Sequence, residues 1–154
     1  MSGPDTLQWH DDMLLGYEPI DAMHREFVEV VAALQVCADE LLLPALDRVI
    51  AHLQAHFGEE DEQMRANEFP PRDCHIDEHA AVLRSAEEVR ELVSAGALDP
   101  ARSFAAALAD WFPGHAVHLD SALAHWMFKR QHGGKPVVFR RRLEAKPATQ
   151  AAAA

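Results

Sequence analysis

The chain has 154 residues, 49% of them hydrophobic and 25% charged, with a formal net charge of −11; this is the balance of one globular domain large enough for a full core. The charge is segregated: residues 1–128 carry seven Arg, no Lys and 24 acids, whereas residues 129–154 carry seven basic residues and one acid. The acidic body argues against a nucleic-acid-binding domain, no apolar run reaches the roughly 18 residues of a membrane span, and two cysteines, Cys37 and Cys74, are too few for a disulfide framework or a cysteine-built zinc site. The opening MSGPDTLQWHDD lacks the basic start and apolar stretch of a secretory signal, so a cytoplasmic address is expected.

Residues 1–19 read as an irregular arm punctuated by Gly3, Pro4, Gly16 and Pro19. A first helix is predicted from about Ile20 to Leu43, because Phe27, Val30, Val31, Leu34, Ala38 and Leu41 recur three and four apart. Pro44 suits the first turn of a second helix, which runs through Leu46, Val49, Ile50, Leu53, Phe57 and Met64 to about Ala66. After a loop at Asn67–Arg72, Asp73 is expected to cap a third helix through Ile76, Val82, Leu83, Val89 and Leu92, ending near Gly96. Asp99–Pro100 reads as an N-cap followed by a first-turn proline. The fourth helix then carries Phe104, Leu108, Trp111, Phe112, Val117, Leu119, Leu123 and Trp126, with a kink or a break in its hydrogen-bond ladder expected at Pro113. Four helices with short connections imply an all-α, up-down-up-down four-helix bundle over residues 20–132. Residues 133–154 are expected to form a flexible basic tail. It either solubilises the chain or binds an acidic neighbour, an anionic membrane or another protein.

Ten histidines occur, and their spacing carries chemistry. His56 and Glu60 are four apart on the second predicted helix, and His75 and His79 four apart on the third, so each pair shares one helix face. His24 lies on the first helix. His115 and Asp120, five apart on the fourth, share a face only if Asp120 leans back. His24 is early in its helix, His56 and Glu60 are late, His75 and His79 early, and His115 and Asp120 past the middle. In an antiparallel bundle these heights coincide near one end. Seven ligands dominated by imidazole are too many for one zinc ion and too nitrogen-rich for magnesium or calcium. Two octahedral ions accommodate five imidazoles, two bridging carboxylates and one bridging solvent oxygen, and leave a single position, on one ion only. Imidazole and carboxylate suit iron, and an open position on a reduced iron pair suits O2. His10, His125 and His132 read as surface residues, and His52 and His118 as outer-shell groups or competing ligands. Glu59 and Glu62 belong to a solvated face out of phase with Glu60.

Trp9 with Gly16, DAMH at 21–24, HFGEED with Met64 at 56–64, HIDEH at 75–79 and WFPGHAVHLD at 111–120 together resemble the hemerythrin family, in particular its single-domain bacterial members. The resemblance spans residues 9–120. It implies two iron ions bridged by an oxo or hydroxo oxygen, Glu60 and Asp120. His75, His79 and His115 would hold one ion, and His24 and His56 the other, five-coordinate ion, where family members bind O2 reversibly. Phe57 and Trp111 match apolar positions beside the oxygen pocket. Ala116 stands where a larger aliphatic residue is common, Asp61 where a second Glu is frequent, and Met23 where Gln or Glu is common.

The function implied is reversible O2 binding for storage, delivery to an oxygen-using enzyme, or sensing through an output protein, rather than catalysis. Two alternatives stand beside it: a di-iron enzyme acting on peroxide, O2 or NO, and a structural or regulatory bundle that metal only stabilises. The carboxylate-rich Glu-x-x-His signature of ferritin-like di-iron enzymes does not occur in the chain. Oligomeric state is not legible in the sequence.

Overall fold

The computed structural model describes residues 5–132. Among them are α1 (Glu18–Val36), α2 (Leu42–Ala66), α3 (Arg72–Ser94), α4 (Asp99–His115) and α5 (Ser121–Gln131), with short 3-10 turns at Asp11–Met13 and Asp39–Leu41. A π-helical turn, Ala116–Asp120, joins α4 to α5, so the two make one interrupted rod and the bundle has four members. Helix α2 packs on α1 and α3, and α4 on α1 and α3. Sequence neighbours thus pack on each other and α1 meets α4 to close the ring, the up-down-up-down arrangement. The described residues contain no strand, and none of their helices is long and apolar enough to cross a membrane. The basic tail lies outside the described residues.

Several helix ends differ from expectation. Helix α1 stops at Val36, because Cys37 and Ala38 are extended and the chain turns back there. The apolar periodicity runs on to Leu41, but that residue is 56% exposed. Helix α3 starts two residues early, with Pro71 at the cap position and Asp73 inside the first turn, where its charge still favours the positive end of the helix. Leu98 rather than Asp99 caps α4, and Pro100 falls in the first turn as predicted. Leu92 and Val117 point outward; in α3 the buried position is the adjacent Val93.

Two helix ends close by the same device. After α3, Gly96 adopts φ +101° and the N–H groups of Ala97 and Gly96 donate to Leu92 and Val93 carbonyls, a Schellman closure. After α2, the N–H groups of Phe69 and Glu68 donate to Met64 and Arg65, but the left-handed position is held by Glu68, at φ 52°. Phe69 and Met64 are buried in one cluster, the apolar contact that accompanies this motif.

The core has two apolar layers. The larger includes Phe27, Val31, Leu34, Leu46, Val49, Leu53, Phe57, Phe104, Leu108 and Phe112. The smaller includes Tyr17, Ile20, Met64, Phe69, Leu123 and Met127. Each fully buried large side chain contributes about 1.5–3 kcal/mol. Along α1, His24 falls between Ile20 and Phe27; along α2, Glu60 falls between Phe57 and Met64; along the fourth rod, Asp120 falls between Phe112 and Leu123. A buried polar layer therefore sits between the two apolar ones. The N-terminal arm closes over α1. Buried Asp21 accepts hydrogen bonds from the Leu15 and Gly16 N–H groups (2.8 and 3.1 Å), Gly16 supplies φ 88°, and the Arg25 guanidinium lies over the Trp9 ring at 5.3 Å.

Candidate metal centre

All seven residues singled out from spacing converge in the polar layer, and none is more than 4% exposed. Their donor atoms form two groups, each with all atoms within 4.8 Å of one another: His75, His79 and His115 with Glu60 and Asp120, and His24 and His56 with the same two carboxylates. All five imidazoles point Nε2 inward. Glu60 divides its oxygens: Oε1 is 2.9 Å from His56 Nε2, and Oε2 is 3.3 Å from His79 Nε2. Asp120 does the same, with Oδ2 2.8 Å from His24 Nε2 and Oδ1 2.9 and 3.1 Å from the Nε2 atoms of His75 and His115.

The π turn explains how Asp120 enters. A residue five beyond His115 would sit off-face on an α-helix, but i→i+5 bonding restores the alignment. Pro113 lies two residues before His115, and helix α4 continues through it without ending. The Ala116 N–H is shared between the Phe112 and Pro113 carbonyls, and the ladder changes register from there. The expected break thus takes the form of a widened turn just after the proline.

The donor set fits a cation. Glu60 Oε2, Asp120 Oδ1 and His75 Nε2 are buried without a hydrogen bond among the described residues, although the last two lie only 2.9 Å apart. His79 and His115 bring their Nε2 atoms to 3.2 Å. Unpaired buried polar atoms cost about 1–3 kcal/mol each, and a shared positive ion is the partner such lone pairs accept. Burial and the Asp120 charge act to raise the Glu60 pKa, yet the imidazoles of His56 and His79 outweigh them and hold it below the usual carboxylate value. Burial likewise opposes ionisation of Asp120, and His115, His24 and His75 hold it well below the ordinary range.

Behind the ligand atoms stands an outer layer, of which sequence reading singles out only His52 for such a place. The His79 Nδ1 faces Asp61 Oδ1 at 2.7 Å, and the His115 Nδ1 faces Glu78 Oε1 at 3.0 Å; the same oxygen accepts the Trp111 Nε1–H at 2.8 Å. Burial works against charging His79, but Asp61 and Glu60 prevail and raise its pKa to about 9. His115 is raised against burial in the same way, by Asp120 and Glu78. His52 is buried, with Nε2 3.1 Å from His56 Nδ1 and Nδ1 3.3 Å from Glu26 Oε1. Burial and the neighbouring His56 lower its pKa to about 4. His24 Nδ1 and His75 Nδ1 have no hydrogen-bond partner among the described residues. His10, His118, His125 and His132 are exposed, as are Glu59 and Glu62.

Aromatic rings wall the layer. Phe57 stacks on His79 at 4.0 Å and 3°, and Trp111 on His115 at 4.2 Å; Ala116, 6% exposed, belongs to the same core cluster as Phe57. Phe27 and Phe112, read from sequence only as core residues, stack on each other at 4.4 Å. Phe112 meets the edge of His24 at 5.0 Å, and Phe27 lies 6.4 Å from His56.

A four-helix bundle whose buried middle layer gathers five imidazoles around two shared carboxylates is a metal-binding bundle. The chain belongs to the hemerythrin family: the family model described as the hemerythrin HHE cation binding domain matches residues 15–126. A bacteriohemerythrin of Ralstonia nicotianae is 34% identical over 125 residues, covering 81% of this chain and 91% of that protein. A bacteriohemerythrin of Stenotrophomonas maltophilia is 27% identical over 136 residues, covering 82% and 88%. No solved structure gave a significant match.

Proposed function

We propose that the chain binds O2 reversibly at a pair of iron ions held in the buried layer. His75, His79 and His115 would hold one ion and His24 and His56 the other, with Glu60, Asp120 and a solvent-derived oxo or hydroxo oxygen bridging them. Such a pair, when bound and reduced, supplies the electrons that O2 needs in order to be held and recovers them on release. The observation that carries this reading is the division of each carboxylate's oxygens between the two histidine groups, which suits two ions sharing both carboxylates rather than one ion. The nitrogen-rich donor set favours iron over magnesium or calcium.

The protein's own part is to fix the imidazoles and keep water out. Asp61 and Glu78 hold His79 and His115 by their outer nitrogens, and Phe57, Trp111 and Ala116 would line the O2 pocket, with Phe27 and Phe112 beside the two-histidine half. Apolar walls slow the escape of reduced oxygen species and so favour release as O2. Each imidazole and carboxylate in the layer is either an inward donor or the outer partner of one, which favours binding over turnover. An oxygen-using enzyme or an output protein would be the downstream partner. Metal analysis of variants tests the pair: Glu60→Ala, which removes a ligand shared by both groups, should lose both ions, and His56→Ala chiefly one. Unchanged metal content in either variant would refute the assignment.

A further inference from the structure

The two halves of the cluster are braced differently. On the three-histidine side, His79 and His115 each meet a carboxylate directly through Nδ1, at 2.7 and 3.0 Å, and His75 Nδ1 has no partner among the described residues. On the two-histidine side, His24 Nδ1 likewise has no partner among the described residues, and no carboxylate braces this half directly: His56 Nδ1 meets another imidazole, that of His52, at 3.1 Å. With Nε2 of His56 turned inward as a ligand, its proton must sit on Nδ1, so His52 Nε2 must accept. His52 is then neutral with its own proton on Nδ1, which faces Glu26 Oε1 at 3.3 Å. One tautomer satisfies both contacts.

The chain of contacts leads outward. His52 is buried, but the Glu26 side chain is 61% exposed. A groove of about 310 Å³ between α1 and α2 includes Met23, Glu26, His52 and His56 in its lining. His52 is one helical turn before His56 on the same face of α2, which aligns the two rings. Resting on the two-ion reading above, we propose that His52, set by Glu26, is the positioning residue of His56, so that affinity for the two-histidine ion depends on a hydrogen-bonded chain ending in solvent. The three-histidine ion does not depend on it.

The test is an anaerobic titration of metal-free full-length protein with Fe(II) in competition with a chromophoric chelator, with folding monitored by circular dichroism. The unmodified chain should take up two ions. His52→Leu, which keeps bulk but cannot accept a hydrogen bond, should bind one ion as before and the other about 10–100-fold more weakly. His52→Gln places an acceptor oxygen near the position of Nε2 and should recover most of that loss. Two affinities in His52→Leu unchanged from those of the unmodified chain would overturn the proposal, as would a His52→Gln variant no better than His52→Leu, since packing alone would then explain the effect. If His52→Leu does not fold, Glu26→Ala at the surface should weaken the same ion by a smaller factor, and an unchanged second affinity there would overturn it. An unmodified chain that takes up no second ion would refute the two-ion reading itself, and this inference with it.

Discussion

His115 and Asp120 are five residues apart, yet His115 Nε2 lies 3.1 Å from Asp120 Oδ1. That contact exists because the chain between them is a π turn. Deleting the exposed Val117 would leave the two as an i, i+4 pair on a plain α-helix, still on one face, whereas inserting an alanine beside it would rotate Asp120 about 100° away from the layer. The insertion should therefore abolish uptake of both ions, and the deletion should retain it. The insertion should also destabilise the fold by several kcal/mol, because Leu123 and Met127 on α5 rotate out of the core with Asp120. Metal content and thermal melting of the two variants check this.

The metal-free protein should lose stability between neutral and alkaline pH. The folded-state pKa of His79 is raised to about 9 from an ordinary 6.5. Its contribution is thus complete below 6.5 and disappears as pH rises through about 9. Glu60 and Asp120 are shifted the other way, so their contribution holds above the usual carboxylate values and is lost only as pH falls through the lower folded ones. Melting temperatures of metal-free protein should fall from pH 6.5 to 9.5. Iron-loaded protein should not show that fall, because the metal replaces the proton on His79 Nε2.

Glu78 accepts from both His115 and Trp111. Glu78→Ala should weaken the three-histidine ion about 10–100-fold, and free the Trp111 ring from its hydrogen bond. Asp61→Asn should cost less, since an amide oxygen can still accept the His79 Nδ1–H. Fe(II) competition titrations, with Trp fluorescence for the Glu78 variant, separate the two.

Ala116 is buried beside Phe112 in the main core. Ala116→Ile should slow the loss of reversible O2 uptake on standing in air, by narrowing the pocket. Overpacking should cost about 1–3 kcal/mol. A variant whose uptake decays as fast as that of the unmodified chain would remove Ala116 from the pocket.

Glu68 occupies a left-handed position, φ 52°, in a closure where Gly is favoured. Glu68→Gly should stabilise the fold by about 0.5–1 kcal/mol by relieving that strain, read as a rise in melting temperature with metal content unchanged.

The bundle and six of the seven inward residues could be read from sequence because both rest on local periodicity. His56 with Glu60 and His75 with His79 are i, i+4 pairs, and His24 and His115 fall in phase with apolar neighbours such as Phe27 and Phe112. The π turn gave only an indirect sign, the misfit of Asp120 with His115 near Pro113, since its bonding pattern belongs to the backbone rather than to any residue type. Asp61 with His79 and Glu78 with His115 join different helices, 18 and 37 positions apart, and no spacing rule reaches that far. The exposure of Leu92 and Val117 shows the same limit from the other side. Periodicity locates a stripe, but which of two adjacent residues turns inward depends on the partner helix.

The central claim is a pair of iron ions that takes up O2 and gives it back. It is tested most directly by the optical spectrum of reduced, iron-analysed protein through repeated cycles of air and deoxygenation. Two irons per chain and a colour that appears with air and vanishes on deoxygenation, cycle after cycle, are the predicted result. A single iron per chain, or a spectrum that changes once in air and does not return, would contradict it.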